Sequence, residues 1–483
     1  MSSSKKDFLQ IRVECSAFSS ADFSLYKLTG REVISQPFEF DIEIGGKAEF
    51  AFDGASVTGT DIALVFEHEG IEVRRVHGMV AEVSDMLAKL KDYRTYRLRI
   101  VPRALRLALV ETSEITMNIA IPDIIKKKLE LVGLSGGDVE QRLLGSYAPR
   151  EFVVQYQEPD LAFVSRLAEH LGISYYFHHK SGKDVLVFTD NPDGFERAPE
   201  AIRYNDTGIS RCVYQLQMHA RIIPVMYVVR DYNYRQPLLD LTAEESAPTG
   251  YAGGIIEFGG HHKSPDEGKI LAKARAEERQ AQQLVYTGES SVPPLGAGVK
   301  FTLEEHPQLG SVELLAVEVE HYVNADQPDP LVAAQDLHYA NKFRAIPGAQ
   351  NYRPPRVTKK PQVAGLVTGV VDTGPGGSTE YAQIDDQGRY MVRLYFDTAA
   401  TGGGMVSRPI RMLQNHAGAN YGTHFPLKPG VEVLVGFVNG DPDRPVIVGA
   451  APNPLTPSPV AVGNRTTHRI KTKAGILIDL VDE

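Results

Sequence analysis

The chain has 483 residues, which is more than one hydrophobic core normally serves, so several domains are expected. With 42% hydrophobic and 23% charged residues, the composition is that of a folded globular protein and excludes a disordered chain. The formal net charge of −10 disfavours nucleic acid as a partner, because phosphates attract basic surfaces.

The cysteines and the apolar segments indicate the compartment in which the chain folds. Cys15 and Cys212 are the only cysteines, and their separation excludes a disulfide framework and a cysteine-rich zinc site. The N-terminal residues lack the apolar core of a signal peptide, and no run of about 18 apolar residues forms a transmembrane segment. We therefore expect the protein to be made and folded in the cytosol, and any later export to require a dedicated machine.

Alternation of apolar and polar residues predicts a mainly β fold. In FEFDIEI, at 38–44, every second side chain is apolar, and YRTYRLRI, at 93–100, repeats the pattern. Such strands are half-buried and antiparallel. Residues 1–110 are therefore predicted to form a first β-barrel or sandwich.

Two helical patterns predict an inserted α+β unit at 111–198. The first begins near Pro122 and ends at Gly133, and the second begins near Pro159 and ends at Gly172. The second lies between the strand-like FVVQYQ and a hairpin-like segment, ISYYFHHKSGKDVLVF.

Strand patterns return over 199–350 and predict a second barrel that contains one helix. Ser264 and Glu267 have the spacing of a capping box, and Pro265 suits a first helical turn. Residues 351–362, rich in proline and basic residues, are predicted to be a linker.

Short alternating segments over 363–455 predict a small barrel of the OB type. The clearest is RYMVRLYFD, at 389–397, where Tyr390, Val392 and Leu394 share one face. The last segment, 456–483, is predicted to be a neck followed by one alternating strand.

Motifs of catalysis are missing from the sequence. It has no GxSxG, HExxH or GxxxxGK[ST] pattern. Adjacent histidines such as His178 and His179 point to opposite faces of a strand and rarely bind one metal together. Asp385 and Asp386, next to Gly388, are more typical of a turn than of a two-carboxylate hydrolase. We expect no enzyme activity, no cofactor and no metal site.

The predicted OB barrel is also a candidate ligand-binding domain, because many OB barrels bind oligonucleotides or sugars. Over 363–455, however, eight acids outnumber six bases, and the whole chain lacks tryptophan. Single-stranded nucleic acid is normally held in a positively charged groove. Ligand binding by this barrel therefore stays an alternative.

Two segments resemble one known family. RPIRMLQNHAGANYGTHFPLKPGVEVLVGFVNGDPDRPVIVGAAPN, within 407–453, closely resembles the OB domain of the VgrG spike proteins of type VI secretion. YAPREFVVQYQEPDLAFVSRLAEHLGISYYFHH resembles the insertion in their hub region. The residues that match the OB motif are interpreted as turn residues that shape the fold: Gly418, Tyr421, Gly422, Pro426, Pro429, Gly430, Gly440, Pro442 and Pro445. Arg444 has two open interpretations, a pair across the collar or a solvated turn.

The resemblance implies a homotrimer related to the hub and spike of contractile phage tails. Two tandem hub barrels in each of three chains would present six similar surfaces to a hexameric, Hcp-like tube protein. The OB domains would form a collar, followed by a β-helical needle with a PAAR-like tip protein and effectors, and baseplate components would surround the hub. Family members continue through a long needle, so the sequence is expected to be either part of a longer chain or a short-needled relative from an extracellular injection system or phage.

The C-terminal pattern independently fits a trimeric stalk. Ile470, Ile476, Ile478 and Leu480 all occupy even positions, whereas the odd positions include the charged residues Arg469, Lys471, Lys473, Asp479 and Glu483. A single strand of this kind has no partner in its own chain, and packing three copies around an axis would bury its apolar face. The alternative is a last edge strand of the OB barrel.

The sequence therefore predicts a structural hub and spike component that punctures a target envelope and delivers effectors. Two alternatives from other classes remain, a phage tail-associated cell-wall hydrolase subunit and an OB-type ligand-binding protein.

Overall fold

A computed structural model describes residues 9–86, 92–208, 211–325, 337–374, 376–398 and 407–482. The chain divides into two compact units. Unit 1 comprises Met1–Leu109, Ile125–Tyr147 and Val164–Lys359, and unit 2 comprises Val110–Ile124, Ala148–Phe163 and Lys360–Glu483. No helix among the described residues is both long and apolar enough to cross a membrane.

Strands dominate the fold, as the alternation predicted. The first strands are β1 (Leu9–Cys15), β2 (Phe23–Val33), β3 (Glu39–Lys47), β4 (Asp61–His68), β5 (Ile71–Asp85), β6 (Tyr93–Val101), β7 (Glu111–Thr116), β8 (Val139–Arg142) and β9 (Val153–Pro159). The next are β10 (Ser174–Lys180), β11 (Lys183–Thr189), β12 (Glu196–Arg197), β13 (Ile202–Arg203), β14 (Val213–Ala220), β15 (Met226–Asp231), β16 (Leu241–Ser246), β17 (Gly254–Phe258), β18 (Leu284–Ser290), β19 (Val299–His306), β20 (Gly310–Ala325) and β21 (Leu337–Pro347). The last are β22 (Val367–Val371), β23 (Val392–Leu394), β24 (Ala417–Gly418), β25 (Tyr421–Gly422), β26 (Glu432–Phe437), β27 (Pro445–Ala450), β28 (Thr467–Lys471) and β29 (Leu477–Val481).

Helices are few and short. The α-helices are α1 (Gly54–Val57), α2 (Ile121–Leu131), α3 (Asp160–Leu171) and α4 (Pro265–Gln280). Short 3-10 turns occupy Ala48–Phe50, Arg103–Leu109, Gly136–Asp138, Pro192–Gly194, Val438–Gly440 and Val462–Asn464.

One large sheet organises unit 1. Its strands pair in the order β20, β2, β3, β6, β5, β4, β1 and β21, and β21 pairs again with β20, so this order closes on itself. The long hairpin of β20 and β21 also pairs with β19 on one side and β18 on the other. The same hairpin therefore belongs to both parts of the sheet.

The alternation of the first strands is confirmed. Phe40, Ile42 and Ile44 are fully buried and lie opposite Ile100, Leu98 and Tyr96 of β6. On the other face, Asp41 accepts a 2.9 Å bond from Arg97. Apolar pairs and ion pairs thus line opposite faces of the same two strands.

The predicted helix starts and stops are confirmed as well. Ser264 caps α4 by accepting a 3.2 Å hydrogen bond from the N–H of Glu267, and Pro265 is its first residue. The Glu267 carboxylate reaches one residue further back than a capping box requires, to the N–H of Lys263. Gly133 and Gly172, which follow α2 and α3, have φ of +82° and +70°, which suits the left-handed end of a helix.

The segment predicted to be a linker, 351–362, is held against unit 1 over part of its length. Arg353 donates to Glu277 at 2.7 Å, and Arg356 donates to Glu257 at 2.7 Å. Two arginines of this segment therefore attach it to unit 1 through ion pairs.

A buried polar network lies inside unit 1. The side chains of Arg74 and Glu32 form an ion pair with exposed fractions of 8% and 7%, and Arg74 also donates to the carbonyl of Leu295 at 3.0 Å. His321 donates from Nε2 to Glu32 at 2.8 Å, and its Nδ1 lies 2.7 Å from the hydroxyl of Tyr339. Each charge of the network is thus met by a partner, as burial requires.

A second histidine adjoins this network. The Nδ1 of His179 accepts a 3.0 Å bond from the N–H of His77, and its Nε2 has no hydrogen-bond partner among the described residues. Burial lowers the pKa of His179 to about 3 and also lowers the pKa of His321. For Glu32, burial alone would raise the pKa, but the charge of Arg74 and the bond from His321 hold it well below its usual range.

Unit 1 is therefore expected to lose stability in acid. His179 has a lower pKa folded than unfolded, so its contribution is complete above about pH 6.5 and is lost as the pH falls toward 3. The pKa of His321 is also lowered, so this histidine acts in the same direction. The pKa of Glu32 is also lower in the folded protein, so this carboxylate adds to the loss of stability once the pH falls below its ordinary pKa of 4.5. Each such group changes the unfolding free energy by about 1.4 kcal/mol per pH unit within its window. Thermal melts from pH 7 to pH 4 measure the loss, which should be smaller in His179→Asn and unaltered by the same change at exposed His468.

Unit 2 contains a smaller sheet in the order β23, β22, β26 and β27. Tyr390, Val392 and Leu394 are all buried in its core, which confirms the predicted face. The regular strand is shorter than predicted, because Tyr390 forms isolated bridges with Ile384 and Ile410 instead of continuing the ladder.

Candidate assembly surfaces

The OB motif begins with a very tight hairpin of β24 and β25. Asn420 in its turn has a φ of +64°, and Gly418 lies under the ring of Tyr421, where a Cβ would come within 2.2 Å of the ring. Gly422 has a φ of +148°, and a Cβ there would lie 2.4 Å from the carbonyl of His416. Both glycines are thus required by the close approach of neighbouring groups.

The next part of the loop is fixed by His424, which the sequence analysis did not single out. Its Nε2 lies 2.7 Å from the hydroxyl of buried Tyr390, and its Nδ1 lies 2.8 Å from the amide nitrogen of Gln414. The same hydroxyl accepts a 3.2 Å bond from the N–H of Leu427. The loop is therefore attached to the core of unit 2 by one tyrosine and one histidine.

The prolines and Gly430 lead the chain into β26. Pro426 is exposed and Pro429 is half-buried. Gly430 has a φ of +88° and donates a 2.9 Å bond to the carbonyl of Val371. These positions agree with the interpretation of the motif as turn residues.

The second half of the motif is a compact turn from Gly440 to Pro445. Gly440 has a φ of +71°, Pro442 is buried, and Pro445 begins β27. The Nε of Arg444 lies 3.8 Å from the carboxylate of Asp441 in the same turn. Within one chain, Arg444 therefore pairs locally.

Asp443, which lies beside these motif residues, contacts parts of unit 2 that are distant in the sequence. Its carboxylate accepts a 2.6 Å bond from the N–H of Val154 and forms a 2.6 Å ion pair with Lys360. Lys360 also pairs with Asp441 at 2.6 Å. Asp443 thus joins three separate stretches of unit 2, and only its position inside a specific motif could have signalled this.

Three apolar side chains in and next to the first half of the OB motif are exposed. Leu413, Tyr421 and Phe425 are each more than half exposed. Exposed apolar side chains are candidates for protein–protein contacts.

The C-terminal segment differs from the prediction. Residues 467–481 form not one strand without a partner but an antiparallel hairpin of β28 and β29, in which Ile470 lies opposite Ile478 and His468 opposite Leu480. The prediction of a single strand was wrong because Gly475, with a φ of +94°, allows the chain to reverse. Thr472 and Ile476 close the turn, with a 2.9 Å bond from the N–H of Thr472 to the carbonyl of Ile476.

The predicted shared face survives in the hairpin. Directly opposed residues of an antiparallel pair lie on the same face. Because Ile470 lies opposite Ile478, the even positions of both strands share one face, whereas Arg469 and Asp479 pair on the other at 2.8 Å. Ile470, Ile478 and Leu480 are each about half or more exposed, so a two-stranded element carries an uncovered apolar face.

The structure also shows the surroundings of the acidic pair and the histidine pair that the sequence offered as candidate sites. Asp385 accepts 3.0 Å bonds from the N–H groups of Gln387 and Arg389, which confirms a turn residue. His178 lies 3.0 Å from the carboxylate of Glu196, whereas His179 lies in the buried network.

Comparison with known proteins agrees with these features. Residues 31–327 match the family described as phage tail baseplate hub, and residues 380–451 match the type VI secretion system/phage-baseplate injector OB domain. The spike protein VgrG5 of Pseudomonas aeruginosa is 32% identical over 450 residues, which cover 89% of this chain and 55% of that protein. The actin cross-linking toxin VgrG1 of Vibrio cholerae is 30% identical over 83% of this chain and 36% of that protein.

One solved structure shows the same fold. The Escherichia coli c3393 protein, described as a component of the type VI secretion system with structural similarity to the T4 tail proteins gp27 and gp5, has a TM-score of 0.68 and 24% identity, covering 91% of this chain and 100% of that one. The chain spans only 55% and 36% of the two curated relatives. With a family match over most of unit 1 and an injector OB domain in unit 2, the chain belongs to the phage tail baseplate hub family, among its VgrG-type spike proteins.

Proposed function

We propose that the chain is the hub and collar of a contractile injection spike, and that it acts as a structural component without enzyme activity. The observation that carries this proposal is the uncovered apolar face of the C-terminal hairpin, which follows an OB domain of the injector type. Three copies of that face around an axis would bury it, as the start of a β-helical stalk requires.

Unit 1 supports the hub part of the proposal. Its sheet closes through the hairpin of β20 and β21, and the same hairpin pairs onward with β18 and β19. We propose that these two parts are the two hub barrels, with boundaries near 1–110 and 199–350. Three chains would then present six similar surfaces, enough to cap a hexameric, Hcp-like tube.

The remaining partners follow from the same assembly. Baseplate components would contact the hub, and a PAAR-like tip protein and effectors would be carried by the needle beyond the collar. No nucleic acid is expected, because the net charge of −10 repels phosphates. We also propose that the spike is assembled in the cytoplasm and then ejected from the cell.

Two other functions are less well supported. A cell-wall hydrolase subunit would need catalytic groups, and the sequence has no GxSxG or HExxH motif that would supply them. Binding of nucleic acid at the OB domain is disfavoured, because eight acids outnumber six bases over 363–455.

The mass of the protein in solution tests the proposal. Sedimentation equilibrium at micromolar concentration is expected to give three times the chain mass of 53.1 kDa. A monomer that persists across the concentration range would contradict it. Release of peptidoglycan fragments by the purified protein would instead support the hydrolase.

A further inference from the structure

Unit 2 contains the only Asn-Gly pair of the sequence, Asn439 and Gly440, at the start of the second half of the OB motif. Asn439 is exposed and has a φ of +57° and a ψ of +25°, and Gly440 has a φ of +71°. The N–H of Asp441 donates a 3.1 Å bond to the carbonyl of Val438 and closes the turn. Positive φ at both central residues is what a type I′ turn requires, and Asn-Gly is a favoured pair for it. The pair therefore has a structural reason for its place in the motif.

The same pair is chemically reactive. The backbone nitrogen of Gly440 can attack the side-chain amide carbon of Asn439, which forms the N–Cγ bond of a succinimide ring and breaks the Cγ–Nδ2 bond. The proton of the Gly440 N–H leaves with the amide nitrogen as ammonia. Water then opens the ring to aspartate or to isoaspartate, in which the backbone runs through the former side chain. Glycine favours the attack because it has no side chain to hinder it.

Conformation, not hydrogen bonding, opposes this reaction in the folded protein. Within the described ranges, neither the side-chain amide of Asn439 nor the N–H of Gly440 makes a hydrogen bond. The ring closes only when the nitrogen of Gly440 lies beside the Cβ of Asn439, which needs a strongly negative ψ. At the observed ψ of +25°, that nitrogen lies on the opposite side of the Cα–C bond from Cβ. The folded turn therefore keeps the two reacting atoms apart.

Contacts with another segment of unit 2 hold the turn in this conformation. The carbonyl of Gly440 accepts a 2.8 Å bond from the N–H of buried Val363. The carboxylate of Asp441 forms a 2.6 Å ion pair with Lys360. A large change of ψ at Asn439 would move both groups away from their partners. The reaction must therefore wait for a local opening of the turn, which costs free energy.

We propose that Asn439 is a site of spontaneous deamidation, which the folded turn at 438–441 suppresses and which reacts when that turn opens. Isoaspartate adds one carbon to the backbone, so the type I′ turn does not re-form, and it places a new carboxylate next to Asp441. The bond from Val363 to Gly440 is then lost. Because the reaction is irreversible, the site records each opening of the turn that leads to product. The proposal is independent of the proposed function, since it uses contacts within unit 2 alone.

Peptide mass spectrometry of the full chain tests the site. The chain is incubated at mildly alkaline pH, once folded and once unfolded in guanidinium chloride, and the deamidated fraction at Asn439 is followed with time. The rate is expected to be at least tenfold lower in the folded chain. Asn420 is the matched control, because it is also exposed and has a φ of +64° but precedes Tyr421. In the unfolded chain it should react at least tenfold more slowly than Asn439.

Hydrogen exchange tests the consequence for the turn. Ion-exchange chromatography separates the reacted chain by its additional negative charge, and the Val363 amide in that fraction should exchange at least tenfold faster than in the unreacted chain. Asn439→Gly retains a residue that adopts positive φ but has no amide to lose, so the same incubation should leave its Val363 exchange unchanged. A folded chain that reacts as fast as the unfolded one, an unfolded chain that does not react at Asn439, or a reacted chain with unchanged exchange at Val363 would each overturn the proposal.

Discussion

Replacing Arg74 with methionine is expected to lower the unfolding free energy of unit 1 by about 3–5 kcal/mol, because it leaves a buried carboxylate without its cation. Arg74 is the only described cation paired with Glu32 besides His321, whose pKa is lowered by burial. Methionine keeps much of the volume of the side chain but supplies no donor to Glu32 or to the carbonyl of Leu295. Hydrogen exchange of the β2 and β20 amides measures unit 1 by itself.

Arg12→Met is the matched control. Arg12 forms an ion pair of 2.9 Å with Glu67, but its side chain is 41% exposed. Exposed pairs contribute about 0–1 kcal/mol, so this change should be nearly neutral. If the two variants lose equal stability, the buried network does not have the importance assigned to it.

A double replacement, Arg74→Met with Glu32→Gln, extends the test. It removes both charges, so the penalty of an unpaired carboxylate disappears and much of the lost stability should return. A double variant as unstable as Arg74→Met would show that packing, not charge, accounts for the loss.

The regular parts of the fold were predictable because they depend on local patterns. Phe40 and Ile42 alternate with acids, and that alternation alone places them in a core. Ser264 and Pro265 mark the start of α4 for reasons contained within four residues. The OB motif was equally accessible, because Gly418 and Gly422 are required by contacts within a few residues of each.

Features that depend on distant residues were not predictable in the same way. Glu32 and His321 are separated by 289 positions, and nothing near either of them in the sequence indicates that they meet. Asp443 likewise finds the N–H of Val154 across 289 positions. The period of two was a correct guide to faces but could not distinguish one strand from a hairpin, because the turn at Gly475 preserves the even positions on one face.

The hairpin therefore provides the sharpest test of the proposed stalk. Ile478→Asp is expected to convert a trimer into monomers at micromolar concentration. It introduces a charge into the face formed with Ile470 and Leu480, and burial of each large side chain is worth about 1.5–3 kcal/mol. With three copies affected, the loss is of the order of 5–9 kcal/mol per trimer, about four to six powers of ten in the assembly constant.

Leu477→Asp is the control on the opposite face of the same strand. Leu477 lies opposite Lys471, so an aspartate there gains a cross-strand partner and leaves the even face intact. Sedimentation of the two variants, with hydrogen exchange over 468–482, distinguishes the faces. A trimer that survives Ile478→Asp but not Leu477→Asp would reverse the assignment of the faces. A trimer that survives both would place the subunit contact elsewhere in the chain, with the exposed apolar side chains of the OB loop, Leu413, Tyr421 and Phe425, as the next surface to test.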